Sequence, residues 1–314
     1  MKTKHMTRTR KDLTSLSDVS KTELESWFEL ALKLKKEQKA GKTHHLLAGK
    51  NLAMIFQKSS TRTRVSFEIA MRQLGGAGLY LSGNELQLGR GETIADTAKV
   101  LSRYVDGIMA RVYGHKDILA LADNATVPVI NGLSDYSHPC QAVADYLTIL
   151  EHKGRLQGLS LAYVGDGNNV AHSLLFGGAK LGVSVAVICP KGYEPQAEVV
   201  KLAEEDARKT GARILVSDDV AAVKNADVIY TDVWASMGQE KEHEERVRVF
   251  KPFQVNSRLM GMTGKEDTLF MHCLPAHRGE EVTDEVVDSR NSVVFDEAEN
   301  RLHAQKAILV SLMA

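Results

Sequence analysis

The chain has 314 residues, of which 43% are hydrophobic and 25% are charged. This length suits two domains of about 150 residues each, and the composition is ordinary for a globular protein. The 40 Lys and Arg residues balance the 40 Asp and Glu residues, which excludes a general attraction to nucleic acid or to a membrane surface. Any recognition of an anion must therefore be local.

Neither a membrane span nor a targeting segment is predicted. No apolar run approaches the ~20 residues that cross a bilayer, and the amino terminus has no apolar stretch of the signal-peptide kind. The basic segment 1–11 lacks the apolar face of a targeting peptide and is interpreted as a solvated end. Widely spaced cysteines without a Cys-x-x-Cys pair favour a reducing compartment, the cytoplasm, over disulfides or a structural zinc site. The cysteines are Cys140, Cys189 and Cys273.

Helices and strands alternate through the first half of the chain. Apolar residues at helical spacing predict a first helix over 18–39, which Gly41 stops. The apolar segment 51–56 predicts a strand, and a helical pattern follows it. The further predicted elements are a strand over 79–81, a helix over 93–105, a strand over 107–112, a helix over 115–124, a strand over 127–133 and a long helix after His138.

The second half repeats this alternation, which is typical of doubly wound, mostly parallel sheets. Strands are predicted over 160–164, 183–189, 212–216, 227–233 and 269–274, and helices over 168–181, 195–210 and 299–313. We therefore predict an α/β fold with two doubly wound domains, each with a mostly parallel sheet, joined by interdomain helices. The predicted domains are 1–146 and 147–314, and the last helix is expected to pack back on the first domain.

Two polar segments interrupt these elements. The loop between Gly83 and Gly91 has little apolar content, which predicts mobility. Eight of the residues from 239 to 248 are Glu, Lys, Arg or His, and no apolar stripe accompanies them. The region from Ser236 to Lys251 is thus predicted to be an exposed excursion that can move as a lid.

A hydroxyl-rich and basic turn links strand 51–56 to its helix. A serine in this turn supplies an N-cap, and the first N–H groups and positive dipole end of the helix attract an anion. Arg62 and Arg64 add guanidinium groups that bind phosphate through paired hydrogen bonds, although a solvated charge pair is the common alternative. The sequence predicts a phosphate site built without glycine. Its residues are Lys58, Ser59, Ser60, Thr61, Arg62, Thr63 and Arg64.

The turn Gly165-Asp166-Gly167 follows a strand and opens a helix, as in dinucleotide-binding proteins. The third glycine of that fingerprint falls at Val170, and residues 188–190 offer no acid for a ribose. A tight strand-to-helix turn is the simpler interpretation. We therefore expect no nicotinamide cofactor.

Three motifs in matching order resemble the aspartate/ornithine carbamoyltransferase family over nearly the whole chain. They are the turn 60–64, His138-Pro139-Cys140-Gln141 and His272-Cys273-Leu274-Pro275; the stretch 232–238, Asp-Val-Trp-Ala-Ser-Met-Gly, resembles the members that act on ornithine. The resemblance implies transfer of a carbamoyl group from carbamoyl phosphate to the δ-amine of L-ornithine, giving L-citrulline and phosphate in arginine metabolism. It implies direct attack by the amine, without metal or organic cofactor.

The resemblance also implies roles for particular residues. In the family, Arg62, Arg111, His138, Asp232 and Cys273 are catalytic. Carbamoyl phosphate is bound by Ser60, Thr61, Arg62, Thr63, Gln87, Arg111, His138, Gln141, Cys273, Leu274 and Arg301. Ornithine is bound by Asn169, Asp232, Ser236 and Met237. The contribution of Arg90 is left open, as is the group that takes the proton from the amine.

Each of these residues has a simpler interpretation. A lone histidine is more often structural than catalytic, and Cys140 is expected to be a buried small hydrophobe. A nucleophilic Cys273 is unnecessary when the amine attacks directly, and His272, Cys273 and His277 would supply only a fragment of a zinc site. We therefore predict no metal site.

Partners follow from the same resemblance. The expected partners are the two small substrates and other copies of the chain, in trimers or multiples of trimers, with no nucleic acid or membrane. The nearest alternative is a related carbamoyltransferase that uses putrescine or another amine. A dinucleotide-dependent oxidoreductase lacks its fingerprint here, and a non-catalytic relative would be expected to have lost residues such as Arg62, His138 or Cys273.

Overall fold

The computed structural model describes residues 12–83, 91–235 and 242–314. Among them, four strands form one parallel sheet in the order β2-β1-β3-β4. These strands are β1 (Asn51–Phe56), β2 (Ala77–Ser82), β3 (Gly107–Arg111) and β4 (Val129–Leu133). Because β1 and β3 are buried along nearly their whole length, their sequences are continuously apolar rather than alternating.

Five further strands of the described chain form a second parallel sheet in the order β7-β6-β5-β8-β9. They are β5 (Ser160–Val164), β6 (Ser184–Ile188), β7 (Ile214–Ser217), β8 (Val228–Thr231) and β9 (Leu269–His272). The prediction of an α/β fold with two doubly wound, parallel-sheet domains is confirmed. The predicted boundary at 146/147 lies within a helix and stays a prediction.

Helices cover the sheets and connect them. Those of the first half are α1 (Lys21–Lys39), α2 (Thr61–Gln73), α3 (Ile94–Leu101), α4 (His115–Asn124) and α5 (Pro139–Lys153). Those of the second half are α6 (Asn169–Leu181), α7 (Ala197–Thr210), α8 (His243–Phe250), α9 (Ser257–Met262), α10 (Asp284–Val287) and α11 (Val294–Met313). Short 3-10 helices span Leu16–Asp18, Val220–Val223 and Lys251–Phe253.

The largest apolar core runs continuously between the two sheets. It contains Met54 from β1 and Tyr163 from β5, together with Ile308 and Leu309 from α11. Helix α11 packs against α1, α2 and α5, and so returns to the first half of the molecule. Smaller cores cover the outer face of each sheet.

The chain order reverses at one place in each sheet: between β1 and β3, and between β5 and β8. At such a switch point the connections leave in opposite directions, so a crevice forms beyond the carboxyl ends of the two strands. The phosphate turn follows β1 and Arg111 ends β3, while Asn169 follows β5 and Asp232 follows β8. The fold therefore directs the predicted site residues to two crevices.

Several predicted bounds differ from the structure. Helix α3 ends at Leu101 rather than 105, and α11 begins at Val294 rather than 299. The early start of α11 was hidden because Glu297 and Asn300 interrupt the apolar pattern, yet both are fully buried. Strand β9 ends at His272 because Leu274 has left-handed backbone geometry, with φ 60°.

The described part of the predicted excursion is a helix with one exposed and one buried side. Residues 243–250 form α8, and both Arg246 and Phe250 are buried. The buried charge of Arg246 is compensated, because its guanidinium donates to the Asp166 carboxylate and to the Trp234 carbonyl, at 2.8 and 2.9 Å. Within the described ranges, no helix is both long and apolar enough to span a membrane.

Candidate active site

A cavity of about 370 Å³ lies where the carboxyl ends of the two sheets meet. Its lining includes residues from both halves of the chain and from α11. The predicted site residues that line it are Ser60, Thr61, Arg62, Thr63, Arg111, His138, Gln141, Asn169, Asp232, Cys273, Leu274 and Arg301. The predicted contacts Gln87, Ser236 and Met237, and also Arg90, lie outside the described residues.

One end of the cavity is the amino terminus of α2. Ser60 is its N-cap, and the Ser60 hydroxyl accepts a hydrogen bond from the backbone N–H of Thr63 at 3.2 Å. The first turn of α2 contains no acidic residue to compete for the exposed N–H groups and the positive end of the helix dipole. This end of the cavity is therefore suited to an anion.

The two arginines of the turn diverge. Arg62 lines the cavity, whereas Arg64 pairs with Glu68 at 3.0 Å and stacks over the ring of Tyr80. Since these partners belong to α2 and β2, Arg64 fastens the turn to its own domain.

Arg301 connects the turn to α5. Its guanidinium donates to the side-chain oxygens of Gln141 and Thr63, at 2.6 and 3.1 Å. The side chain is 3% exposed, so these hydrogen bonds form away from water. Helix α11 thus contributes a buried cation to the part of the cavity formed by the first half of the chain.

Burial and neighbouring cations keep His138 neutral. Desolvation lowers its pKa well below the usual value, and the charges of Arg301, Arg111 and Arg62 lower it further. Its backbone N–H donates to the Ser173 hydroxyl at 2.8 Å, and Nδ1 is buried with no hydrogen-bond partner among the described residues. Burial also lowers the pKa of Arg111, to about 10, which leaves this guanidinium charged at neutral pH.

The second half of the chain contributes Asp232 and Cys273 to the cavity wall. The Cys273 thiol donates to a carboxylate oxygen of Asp232 at 3.0 Å, and Asn168 donates to the other oxygen at 3.2 Å. Burial, and then the Asp232 charge, raises the pKa of Cys273 well above its usual value. The sulfur is therefore a protonated thiol, which argues against a nucleophilic role.

His272 lies beside Asp232 and Cys273, but neither of its ring nitrogens is free to bind a metal ion. Its Nε2 lies 3.1 Å from a carboxylate oxygen of Glu281, and its Nδ1 accepts from the backbone N–H of Leu274 at 2.9 Å. Both ring nitrogens are thus engaged. The Leu274 conformation costs about 1–3 kcal/mol, and this hydrogen bond helps to hold it at the cavity.

A pair of buried carboxyl groups lies behind the cavity, on α5 and α11. The Gln141 amide donates to Asp145 at 2.8 Å and to Glu297 at 3.1 Å. Glu297 also accepts from the Tyr230 hydroxyl and from the backbone N–H of His272, at 3.0 and 2.9 Å. Burial raises the pKa of both carboxyl groups, that of Asp145 to about 7, so the pair retains a proton near neutral pH.

The Gly165-Asp166-Gly167 turn has a packing explanation. A Cβ at Gly167 would clash with the backbone of Glu194 and Pro195, while Asp166 accepts from Arg246. Close approach of two backbones therefore accounts for the second glycine of the partial fingerprint.

The sequence did not predict the residues that hold other residues of the site in place by hydrogen bonds. They are Asp145, Ser173, Arg246 and Glu297. One local signal was present, because Gln141 and Asp145 are four residues apart and thus lie on the same face of α5. Glu297 gave no comparable signal, since its partners are distant in the chain. Arg246 has a local partner in Glu242, four residues before it, but its buried partner Asp166 is distant.

The fold and this cavity define a two-domain α/β enzyme whose site lies between its parallel sheets. The sequence model of the aspartate/ornithine carbamoyltransferase carbamoyl-phosphate-binding domain matches residues 11–151. The model of the Asp/Orn-binding domain of the same proteins matches residues 157–312. The chain belongs to the aspartate/ornithine carbamoyltransferase family.

Comparison with individual proteins narrows the similarity to the ornithine carbamoyltransferases within this family. The chain is 64% identical over 304 residues to the ornithine carbamoyltransferase of Thermococcus kodakarensis and to the anabolic one of Pyrococcus furiosus, covering 96% of the chain and of each relative. A solved structure of ornithine carbamoyltransferase from Pyrococcus furiosus superposes with a TM-score of 0.94 at 63% identity, over 96% of this chain and 97% of that one. The anabolic enzyme of Campylobacter jejuni gives a TM-score of 0.90 at 41% identity, over 96% and 98%.

Proposed function

We propose that the chain transfers the carbamoyl group of carbamoyl phosphate to the δ-amine of L-ornithine, giving L-citrulline and phosphate. One observation carries the proposal: an anion-binding helix terminus with cationic neighbours faces an Asp–Cys pair across a single cavity. The ornithine carbamoyltransferases among its relatives support this acceptor, and nothing favours putrescine.

The phosphate of carbamoyl phosphate binds at the start of α2. Ser60, Thr61, Arg62 and Thr63 donate to its oxygens, and the helix dipole adds to the attraction. Arg301 holds Thr63 and Gln141 in place through its two hydrogen bonds, and itself adds positive charge.

The carbamoyl oxygen lies against Arg111, His138 and Thr63. Attack on the carbonyl carbon places negative charge on this oxygen, so donors that are already in position lower the barrier. A neutral His138 donates one N–H without adding a charge that would repel the neighbouring arginines. Gln141 and the backbone around Leu274 face the carbamoyl amide.

The amine approaches from the wall that holds Asp232 and Cys273. The Asp232 carboxylate steadies the ammonium form of the ornithine side chain, while Asn169 contacts the amino-acid end of ornithine. The ammonium loses one proton to become the free amine. Its nitrogen then bonds to the carbamoyl carbon and gives a second proton to the departing phosphate, while the bond from that carbon to the phosphate oxygen breaks. The electron pair of that bond leaves with phosphate, whose charge Arg62 stabilises.

Assembly, compartment and direction belong to the same proposal. The protein forms trimers or multiples of trimers, in which Gln87 reaches the site of a neighbouring subunit. It works in the cytoplasm, which agrees with three free cysteines. It acts in arginine biosynthesis, as the name of the anabolic Pyrococcus furiosus relative suggests.

The test is formation of ureido product from carbamoyl phosphate by the purified, assembled protein. Ornithine, putrescine, aspartate and acetylornithine are supplied in parallel, and we expect turnover with ornithine alone. Preference for another amine would refute the acceptor assignment but keep carbamoyl transfer. No turnover with any of the four, in protein shown to be folded and trimeric, would refute the reaction itself.

A further inference from the structure

We propose that His243, His277 and Glu280 bind one divalent transition-metal ion at the rim of the catalytic cavity. The three side chains come from the first residue of α8 and from the loop after β9. One atom of each, a ring nitrogen or a carboxylate oxygen, lies within 4.8 Å of the other two. Of the three, His277 also lines the cavity.

The spacing matches that of metal ligands before any ion is present. A carboxylate oxygen of Glu280 lies 3.1 Å from His243 Nε2 and 3.7 Å from His277 Nδ1. Ligand atoms about 2.0–2.1 Å from a tetrahedral ion are roughly 3.3 Å apart. The two observed distances lie on either side of this value, and the two ring nitrogens lie within 4.8 Å of each other, so side-chain rotations bring all three atoms to one ion.

The loop that supplies two of the ligands is already fixed. The Gln254 side chain donates to the carbonyls of Gly279 and Glu280, at 2.8 and 2.7 Å. The backbone N–H of Gly279 donates to the carbonyl of Val282 at 2.8 Å, and that of His277 donates to the Glu281 carboxylate at 2.5 Å. The ion therefore binds without the entropic cost of ordering this backbone.

The charges around the three side chains are mixed. The Lys251 ammonium donates to the Gly279 carbonyl at 3.4 Å and opposes a cation, whereas the other neighbouring charges do not. Arg278, the nearest cation along the loop, turns to Asp284 and Asp288, at 2.8 and 2.7 Å, so its charge is neutralised. The first turn of α8 carries Glu244 and Glu245, which offset the positive end of its helix dipole. Two imidazoles and one carboxylate select zinc-like ions over Mg²⁺ and Ca²⁺, which prefer oxygen ligands.

The site is open to solvent and distinct from the catalytic wall. The side chains of His243, His277 and Glu280 are 40%, 45% and 31% exposed, which leaves room for an ion to enter with one water as fourth ligand. The other candidate cluster in the described chain, Asp232 with His272 and Cys273, lacks a free ring nitrogen on His272.

The test is a titration of the chelator-treated, assembled protein with Co²⁺, followed by visible absorption, and with Zn²⁺, followed by calorimetry. We expect one ion per chain, and a loss of affinity of about tenfold or more in His243→Asn and in Glu280→Gln, because each removes a ligand. His152→Asn is the matched control. His152 also faces a carboxylate, that of Asp296 at 2.9 Å, but belongs to no described three-ligand cluster, and its variant should bind like the parent.

Three results would overturn the proposal: equal affinity in the parent and in His243→Asn, no saturable binding below about 1 mM, or a cobalt–thiolate charge-transfer band, which would place the ion on a cysteine. Thermal unfolding distinguishes misfolding from loss of the site. The metal-free variants should melt with the parent, and only the parent and His152→Asn should be stabilised by Zn²⁺.

Discussion

Arg62 and Arg64 stand two residues apart but have different surroundings. Side chains at this spacing on a helix diverge by about 200°, so one guanidinium reaches the cavity while the other turns to Glu68 and Tyr80. The same chemical group thus has two functions at neighbouring positions, one proposed for the substrate and one for the fold.

Replacement of Arg62 by alanine tests the first of these functions. We expect kcat/KM for carbamoyl phosphate to fall about 100-fold, which corresponds to about 3 kcal/mol for a lost charge-assisted contact. The measurement is steady-state formation of citrulline with carbamoyl phosphate varied. Arg64→Ala is the control, since it removes the same group from the same turn without removing it from the cavity. The Arg64→Ala variant should lose about 1 kcal/mol or less of the free energy of unfolding, and its kcat/KM should stay within about threefold of the parent value. Near-normal turnover of Arg62→Ala would contradict the proposed phosphate contact.

At the scale of elements, α5 and α11 meet through Asp145 and Glu297. Two carboxylates cannot both ionise in a buried site, so a shared proton keeps the pair together. Through the Gln141 amide, this pair fixes the oxygen that accepts from Arg301. We infer that the pair positions Gln141 and Arg301 without touching substrate.

Glu297→Gln tests the shared proton through the pH dependence of stability. Between about pH 5 and about pH 7, the folded pair holds a proton, whereas the same two carboxyl groups are ionised in the unfolded chain. Unfolding in this range therefore releases a proton. The contribution of the pair to the free energy of unfolding therefore falls as pH rises, by up to about 1.4 kcal/mol per pH unit. The variant should lose most of this slope, as measured by urea unfolding at fixed protein concentration.

The control for that experiment is Glu299→Gln. Glu299 lies on the same helix and pairs with Lys39 and with His303, 3.2 and 3.3 Å away. Its pKa is lowered and that of His303 is about 4, so neither group titrates in the folded chain between about pH 5 and about pH 7, and the replacement should leave the slope unchanged. If Glu297→Gln kept the parental slope, the carboxyl pair would not hold the proton assigned to it.

Local periodicity predicted the elements well, because a strand or helix repeats its pattern over neighbouring residues. Strands β1 and β5 have the predicted bounds, and α6 begins one residue after its predicted start. The carboxyl pair was not predictable in this way. An acid in a helix normally indicates a solvated face, and the burial of Glu297 depends on partners that are distant in the chain, among them Gln141, 156 residues away. Arg246 was missed for the same reason, since Asp166 is 80 residues from it.

In the whole molecule, the switch points of the two sheets open into the same cavity. The anion-binding end is formed by the first sheet with α2, α5 and α11, whereas the wall for the amine is formed by β8 and β9. The anion-binding end is already held together by hydrogen bonds in the absence of ornithine, because Arg301 joins Thr63 and Gln141. We therefore expect carbamoyl phosphate to bind first.

Thermal unfolding with single ligands tests this order. Inorganic phosphate alone should raise the unfolding midpoint, and at 100 times its dissociation constant should add about 2.7 kcal/mol of stability. L-ornithine alone should give little shift, but a clear one when phosphate is present. Arg62→Ala should lose the phosphate effect. Stabilisation by ornithine alone equal to that by phosphate would contradict ordered binding.

The position of α11 in the chain has a consequence for synthesis. Roughly 190 residues separate Arg111 from Arg301, and a ribosome takes about 10–40 s to add them. During that interval the first sheet can fold, but its phosphate site lacks the guanidinium that joins α2 to α5. We therefore expect a nascent chain to hold carbamoyl phosphate less tightly than the finished chain, which limits its exposure to water in an incomplete cavity.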